Sequence, residues 1–277
     1  MTVDAAIAKV EDAFPVRGYM EKMDSSYRNV AEVVLRNLAP GSSILDFGSG
    51  PCEKAAILSV LGYKCSAHDD LEDEWHLMDD NVARIEAFAK MFGVNFSRGD
   101  GKTIPFERES FDMVMLHCVV EHLHDSPRYL LNSLIKLLRP GGLLFITVPN
   151  AGNIRKRWLL LSGGTNYPRF EAYYWSRNSW RGHVREYVIS DLAKLSAYLR
   201  LETVELRSCH HRIAQLGPVF RAIFRGVTVL LPAWRDSWSL VCRKPIAWAP
   251  ADELPEAEWR RVLAREAPYP YLEDAVK

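Results

Sequence analysis

The sequence predicts a doubly wound α/β fold, a mostly parallel seven-stranded sheet with helices on both faces. Three observations carry this. Short runs such as SILDF, FDMVML and LLFITV are apolar nearly throughout, as strands buried on both faces must be. Helical patterns with apolar residues every three or four positions alternate with those runs. A glycine-rich turn follows the first strand and opens a helix, the connection that alternating units of this kind require.

The elements follow in order. Tyr27, Val30, Ala31, Val34, Leu35 and Leu38 share one face of an amphipathic helix that Pro40-Gly41 ends. Ser43–Phe47 is the first strand, Lys54–Leu61 a helix stopped by Gly62, and Lys64–His68 the second strand, ending in Asp69-Asp70. Met78–Phe92 reads as helix, Val94–Ser97 and Phe111–Leu116 as strands. Ser126-Pro127 is a cap followed by proline at the first helical position, opening a helix predicted to run through Leu138. Leu143–Val148 is the fifth strand; Ser190–Leu199 a helix, Glu202–Ser208 a strand, 213–230 mostly helical, Ser237–Cys242 the last strand. A short helix is expected near Glu256–Ala264.

The organisation expected from this is a helical cap at 1–40, a ligand-binding core at 41–150, and an aromatic-rich lid insertion at 151–182. Residues 183–246 would complete the same sheet and 247–277 form a tail. Lys+Arg and Asp+Glu are 35 each, which argues against a long nucleic-acid footprint, since that needs an excess of cations. No run reaches the length of a membrane span, and Gly226–Trp234 is read as core or interface. The N-terminus lacks an apolar leader, and five scattered cysteines without CxxC spacing suit reduced thiols, so a cytoplasmic location is expected.

The turn after the first strand reads Asp46-Phe47-Gly48-Ser49-Gly50-Pro51-Cys52. Glycines there let backbone approach a ligand at the carboxyl edge of the sheet. The third position of a dinucleotide fingerprint is Glu53, and no GxxxxGK[ST] occurs, so a ligand without pyrophosphate is favoured. Asp69, 19 residues after Gly50, can accept hydrogen bonds from both ribose hydroxyls of an adenosine, or simply cap a turn. Asp100-Gly101 can meet an adenine amino group or form a plain turn.

ILDFGSGPC, Asp69, GDGKTIPF, FDMVMLHCVVEHL and LLRPGGLLFITVPN resemble, in order and spacing, the successive motifs of class I S-adenosylmethionine-dependent methyltransferases, a Rossmann-like family. The resemblance implies S-adenosylmethionine as cofactor. It sets Asp46, Gly48 and Gly50 along the methionine moiety, Asp69 at the ribose, Asp100 and Gly101 at the adenine, and His117 with Cys118 beneath the sulfonium. Cys52 stands where many members carry a third glycine.

On the acceptor side, Glu121-His122 and His183 resemble the ligands of metal-dependent O-methyltransferases of ubiquinone synthesis, of RNA 3′ ends and of sugar hydroxyls. By that resemblance Glu121, His122 and His183 are catalytic residues and metal ligands, with Mg²⁺ as the implied ion. Cys118 replaces the first acid of that motif and is a poor Mg²⁺ ligand. A histidine acting as general base is the alternative, since a sugar hydroxyl does not ionise unaided at neutral pH. Bland readings are a capped turn for Glu121 and a packing role for His122. The lid's Tyr174, Trp175 and Trp180 suit a sugar ring or a planar phenol, or pack as an ordinary cover.

The expected partner is thus a small-molecule hydroxyl acceptor, a saccharide or glycosylated metabolite. A phenol or quinone precursor is the second reading and RNA the third, with self-association left open.

Overall fold

In the computed structural model, residues 1–266 are described except 22, 23, 102, 178, 212, 214, 215 and 252. The expected tail falls outside the described residues from 267 onward. Two N-terminal helices, α1 (Val3–Ala13) and α2 (Asp24–Asn37), precede β1 (Ser43–Phe47), α3 (Glu53–Val60), β2 (Lys64–Asp69), α4 (Asn81–Met91) and β3 (Asn95–Arg98). The second half runs β4 (Phe111–His117), α5 (Pro127–Ile135), β5 (Leu138–Pro149), α6 (Ile154–Leu161), α7 (Phe170–Tyr174) and α8 (Ile189–Tyr198). It ends with β6 (Glu202–Cys209), α9 (Pro218–Leu230), β7 (Ser237–Arg243) and α10 (Glu256–Glu266).

The seven strands are ordered β3-β2-β1-β4-β5-β7-β6; β7 runs antiparallel to both neighbours, and the remaining ladders are parallel. The strand order reverses between β1 and β4, and a doubly wound sheet opens a crevice at that point. Alternation along β4 divides the core. Val114 and Leu116 pack with Leu131, Leu144, Ile146 and Leu240 on one face. Met113 and Met115 pack with Val33, Ala55, Leu58 and Phe145 on the other. α1 closes a third cluster, burying Ala6 and Val10 against Tyr27, Ile57 and Phe88.

Several boundaries differ from expectation, most notably at the junction of α5 and β5. α5 stops at Ile135 rather than Leu138, and β5 starts at Leu138 rather than Leu143. Arg139-Pro-Gly-Gly reads as a breaker, yet Leu138 pairs with Phe111 across an irregularity in the ladder. Lys244 then donates from Nζ to Leu138 O at 2.6 Å, holding the arch to the last strand.

Candidate active site

The glycine turn is fastened to the end of β2 by three successive backbone N–H groups. Gly48 and Ser49 donate to His68 O at 2.8 and 3.3 Å, and Gly50 donates to Asp69 Oδ2 at 2.8 Å. The other Asp69 oxygen accepts from Leu71 N at 2.8 Å. Gly48 has φ +69°, and a Cβ there would lie 2.5 Å from Val119 Cγ2, so the turn and the first residues after β4 fit only around glycine. Cys52 takes φ +66°, the left-handed conformation that the missing third glycine would favour, and its thiol meets Ser49 Oγ at 3.6 Å.

Beside this turn lies a cavity of about 1250 Å³ at the switch point. Gly48, Gly50, Asp69, Asp100 and Gly101 line it, together with Ile104, Phe106, Cys118, Val119 and His122. The residues expected at ribose and adenine therefore line one cavity. Asp46 sits behind the turn. It is fully buried, and neither carboxylate oxygen has a hydrogen-bond partner among the described residues. Burial pushes its carboxyl up to about 7, Lys54 draws it back, and Glu53 and Asp69 push it higher. Orphaned buried oxygens beside a glycine cradle are a receptor for a cation, and the ammonium of S-adenosylmethionine fits that requirement. Cofactor affinity should accordingly rise between pH 6 and pH 8 as Asp46 ionises, by up to about tenfold per pH unit below its pKa. Titration of S-adenosylhomocysteine across that range checks it; the Asp46→Asn variant should lose the dependence.

His117 is a correction. Its ring is buried, with Nε2 at 2.7 Å from Ser26 Oγ and Nδ1 against Thr147 Oγ1. It pins α2 to the sheet, and burial lowers its pKa well below the ordinary value. Cys118, at φ +59°, turns the chain outward, so Cys118 and Val119 form the cavity wall at this strand end.

Glu121, His122 and His183 converge. One ligand atom from each lies within 4.8 Å of the others, and the two imidazoles meet edge to face with centroids 4.9 Å apart. Backbone bonds set this register: Val184 and Arg185 donate to Glu121 O at 2.7 and 3.2 Å. His122 Nδ1 lies 2.6 Å from Arg181 O, and since a carbonyl only accepts, Nδ1 carries the proton and Nε2 the lone pair. His183 Nδ1 likewise donates to Glu186 Oε1 at 2.7 Å, and Lys156 pairs with the other oxygen of Glu186. Burial lowers the His122 pKa, keeping the ring neutral at pH 7. Two oriented imidazoles and one carboxylate form a donor set that suits a borderline transition ion better than Mg²⁺.

The lid differs from expectation in one respect. Trp180 lines the cavity, but Tyr174 and Trp175 point into solvent. A latch that local sequence patterns do not reveal is built from residues that line the cavity. Arg181 binds Asp70 through two nitrogens at 2.8 to 3.1 Å and Asp73 through Nε at 2.7 Å, while His124 Nε2 donates to Trp180 O at 2.6 Å. Asp70 is visible beside Asp69, but its partner lies 111 residues away. The pair is partly exposed, so Arg181→Ala should weaken S-adenosylhomocysteine by about three- to tenfold, seen as faster dissociation in stopped flow.

Residues 45–146 match the family model described as a methyltransferase domain. The chain is 40% identical over 68 residues to phthiotriol/phenolphthiotriol dimycocerosates methyltransferase 1 of Mycobacterium ulcerans, covering 24% of each chain. It is 28% identical over 130 residues to demethylmenaquinone methyltransferase of Corynebacterium efficiens, covering 45% of this chain and 51% of that one. The matches thus span from a quarter to about half of those relatives' lengths. Among solved structures, phosphoethanolamine N-methyltransferase 2 of Haemonchus contortus, in complex with S-adenosyl-L-methionine, superposes with a TM-score of 0.55. That match has 18% identity and covers 87% of this chain and 57% of that one. Residues 45–146 thus match a methyltransferase domain, set on a fold that the chain shares with that solved methyltransferase.

Proposed function

We propose that the protein is an S-adenosylmethionine-dependent O-methyltransferase acting on a hydroxyl of a saccharide or glycosylated metabolite. The observation that carries this reading is the convergence of Glu121 and His183 on His122, which lines the cavity, with both imidazoles oriented through Nδ1. In the reaction the acceptor oxygen attacks the methyl carbon in line. The O–CH₃ bond forms, the S–CH₃ bond breaks with its electron pair going to sulfur, and S-adenosylhomocysteine is released. Because the sulfonium is already a good leaving group, the protein's task is to position the hydroxyl and take its proton. His122, neutral and with its Nε2 lone pair available to an acceptor at the cavity wall, accepts that proton. Trp180 offers a flat face for a sugar ring.

The same donor set can hold a divalent ion, which when bound would acidify the hydroxyl. Glu121, His122 and His183 would hold it, with Glu186 and the Arg181 carbonyl fixing the ring orientations. A phenol or quinone-precursor acceptor is the second reading, favoured by the similarity to demethylmenaquinone methyltransferase. The test is a tritiated methyl-transfer assay with free sugars, glycosides and catechols, run with and without EDTA. Label on a sugar hydroxyl is expected; transfer to catechols alone would replace the first reading with the second, and transfer to neither class would remove both.

A further inference from the structure

His76, in the connection after β2, is buried at 3% exposure, and neither ring nitrogen has a hydrogen-bond partner among the described residues. An imidazole in that state costs folding free energy, because both nitrogens leave water without replacement. The backbone around it is well fixed. His76 N donates to Asp73 O at 2.8 Å, and Asn81 Nδ2 donates to Trp75 O at 2.8 Å. A run of rings supports the side chain: Phe14 stacks on Tyr19 with centroids 5.2 Å apart, Tyr19 meets Trp75 at 5.1 Å, and Trp75 meets the imidazole at 4.0 Å. The segment after α1 thus braces a ring that lines the same cavity as Gly50 and Asp69.

The surroundings select the group that would pair with it. Burial lowers the His76 pKa against the pull of Asp73, Asp69, Asp70 and Glu53, so the ring is neutral at pH 7. A neutral imidazole offers one N–H donor and one lone pair. The four acids outnumber the cations paired with them, which are Arg181 on Asp70 and Asp73 and Lys54 on Glu53. An anionic group, such as the carboxylate of the cofactor's methionine moiety, would be repelled there. A hydroxyl suits the place, since one oxygen can donate to an acid and accept from an imidazole. Ionised Asp69 only accepts, and each of its oxygens already takes a backbone N–H. The lone pairs of a ribose hydroxyl bound to it therefore need a separate donor. The Asp46 carboxyl, assigned above to the ammonium, answers to Lys54, Glu53 and Asp69.

We propose that His76 binds the ribose of S-adenosylmethionine, its imidazole N–H donating to a hydroxyl oxygen whose own proton is directed to Asp69. This rests on the cofactor of the reading above and is independent of its acceptor.

The test sets affinity against stability in one variant. His76→Phe keeps a flat ring against Trp75 and removes both nitrogens. Its Kd for S-adenosylhomocysteine, read by calorimetry, should rise about three- to tenfold. The Tm of the ligand-free variant should rise by about 2 °C, because an unsatisfied polar group is gone. A histidine kept only for packing would lower Tm and affinity together. Competition by 5′-methylthioadenosine, which has the ribose and lacks the amino-acid part, should weaken by the same factor as S-adenosylhomocysteine binding. Unchanged S-adenosylhomocysteine affinity in the variant would overturn the proposal, as would a loss of affinity with a lower Tm. So would a loss that methylthioadenosine does not share, since the ring would then face the amino-acid end. A wild-type protein that binds no S-adenosylhomocysteine would instead remove the cofactor reading, and this proposal with it.

Discussion

Replacing Asp69 with alanine should lower affinity for S-adenosylhomocysteine by at least about a hundredfold while the protein stays folded. The side chain has two roles at one place. Its oxygens each accept a backbone N–H at 2.8 Å, one from Gly50 and one from Leu71, so it shapes the glycine turn and the exit from β2 together. It also lines the cavity where the ribose hydroxyls of the cofactor would sit. Burial raises its pKa, and the two backbone bonds pull it back toward the ionised form. Alanine removes both bonds and leaves the Gly50 and Leu71 donors seeking water. Asp69→Asn retains one good acceptor but turns an amide N–H toward a backbone N–H, so an intermediate loss is expected. Calorimetric titration of both variants, with circular dichroism as the fold check, reads this directly. Unchanged affinity in Asp69→Ala would remove the residue from the cofactor site.

The second large effect is on turnover. Glu121→Gln and His183→Ala should each lower kcat by about a thousandfold, with S-adenosylhomocysteine affinity within a factor of two. Neither side chain lines the cavity beside the cofactor-binding turn, so binding and chemistry should separate. The pH profile then distinguishes the two ways the cluster can act. The His122 pKa is lowered by burial, so the ring is neutral above that pKa and gains a proton only as the pH falls through it, below the ordinary value of 6.5. With His122 as base, kcat/KM falls tenfold per pH unit on that acidic side and EDTA has no effect. If an ion is required, EDTA abolishes turnover and a transition-metal ion restores it more effectively than Mg²⁺. A variant pair with full activity would assign Glu121 and His183 to structure alone.

Much of this architecture is legible in the chain because burial on both faces leaves strands such as Leu143–Val148 with hardly any polar residues. The turn that follows β1 is equally plain, since few uses of backbone need glycine at both Gly48 and Gly50. Direction is harder to read. Tyr174, Trp175 and Trp180 look alike as a cluster of aromatics, yet only Trp180 faces the cavity, because nothing local says which side of a lid meets the core. His117 misleads for a related reason. It ends a strand that points at the cavity, but strand alternation turns its ring toward Ser26 and Thr147. The Arg181 latch depends on residues 108 to 111 positions apart, a separation that no periodicity reports.

The backbone bonds from Val184 and Arg185 to Glu121 O divide the molecule's labour. They bind the strand of chain bearing His183 to the turn bearing Glu121 and His122, so these three side chains keep their mutual geometry as one rigid unit. Of the preceding segment, Lys156 reaches that unit through Glu186, while the helices α6 and α7 otherwise bury no side chains. Substitutions there can remodel what approaches the cavity while leaving the cluster in place. Such an arrangement would let an engineer change the molecules the protein accepts by grafting residues 158–176, which leaves Lys156 and the machinery beneath it in place.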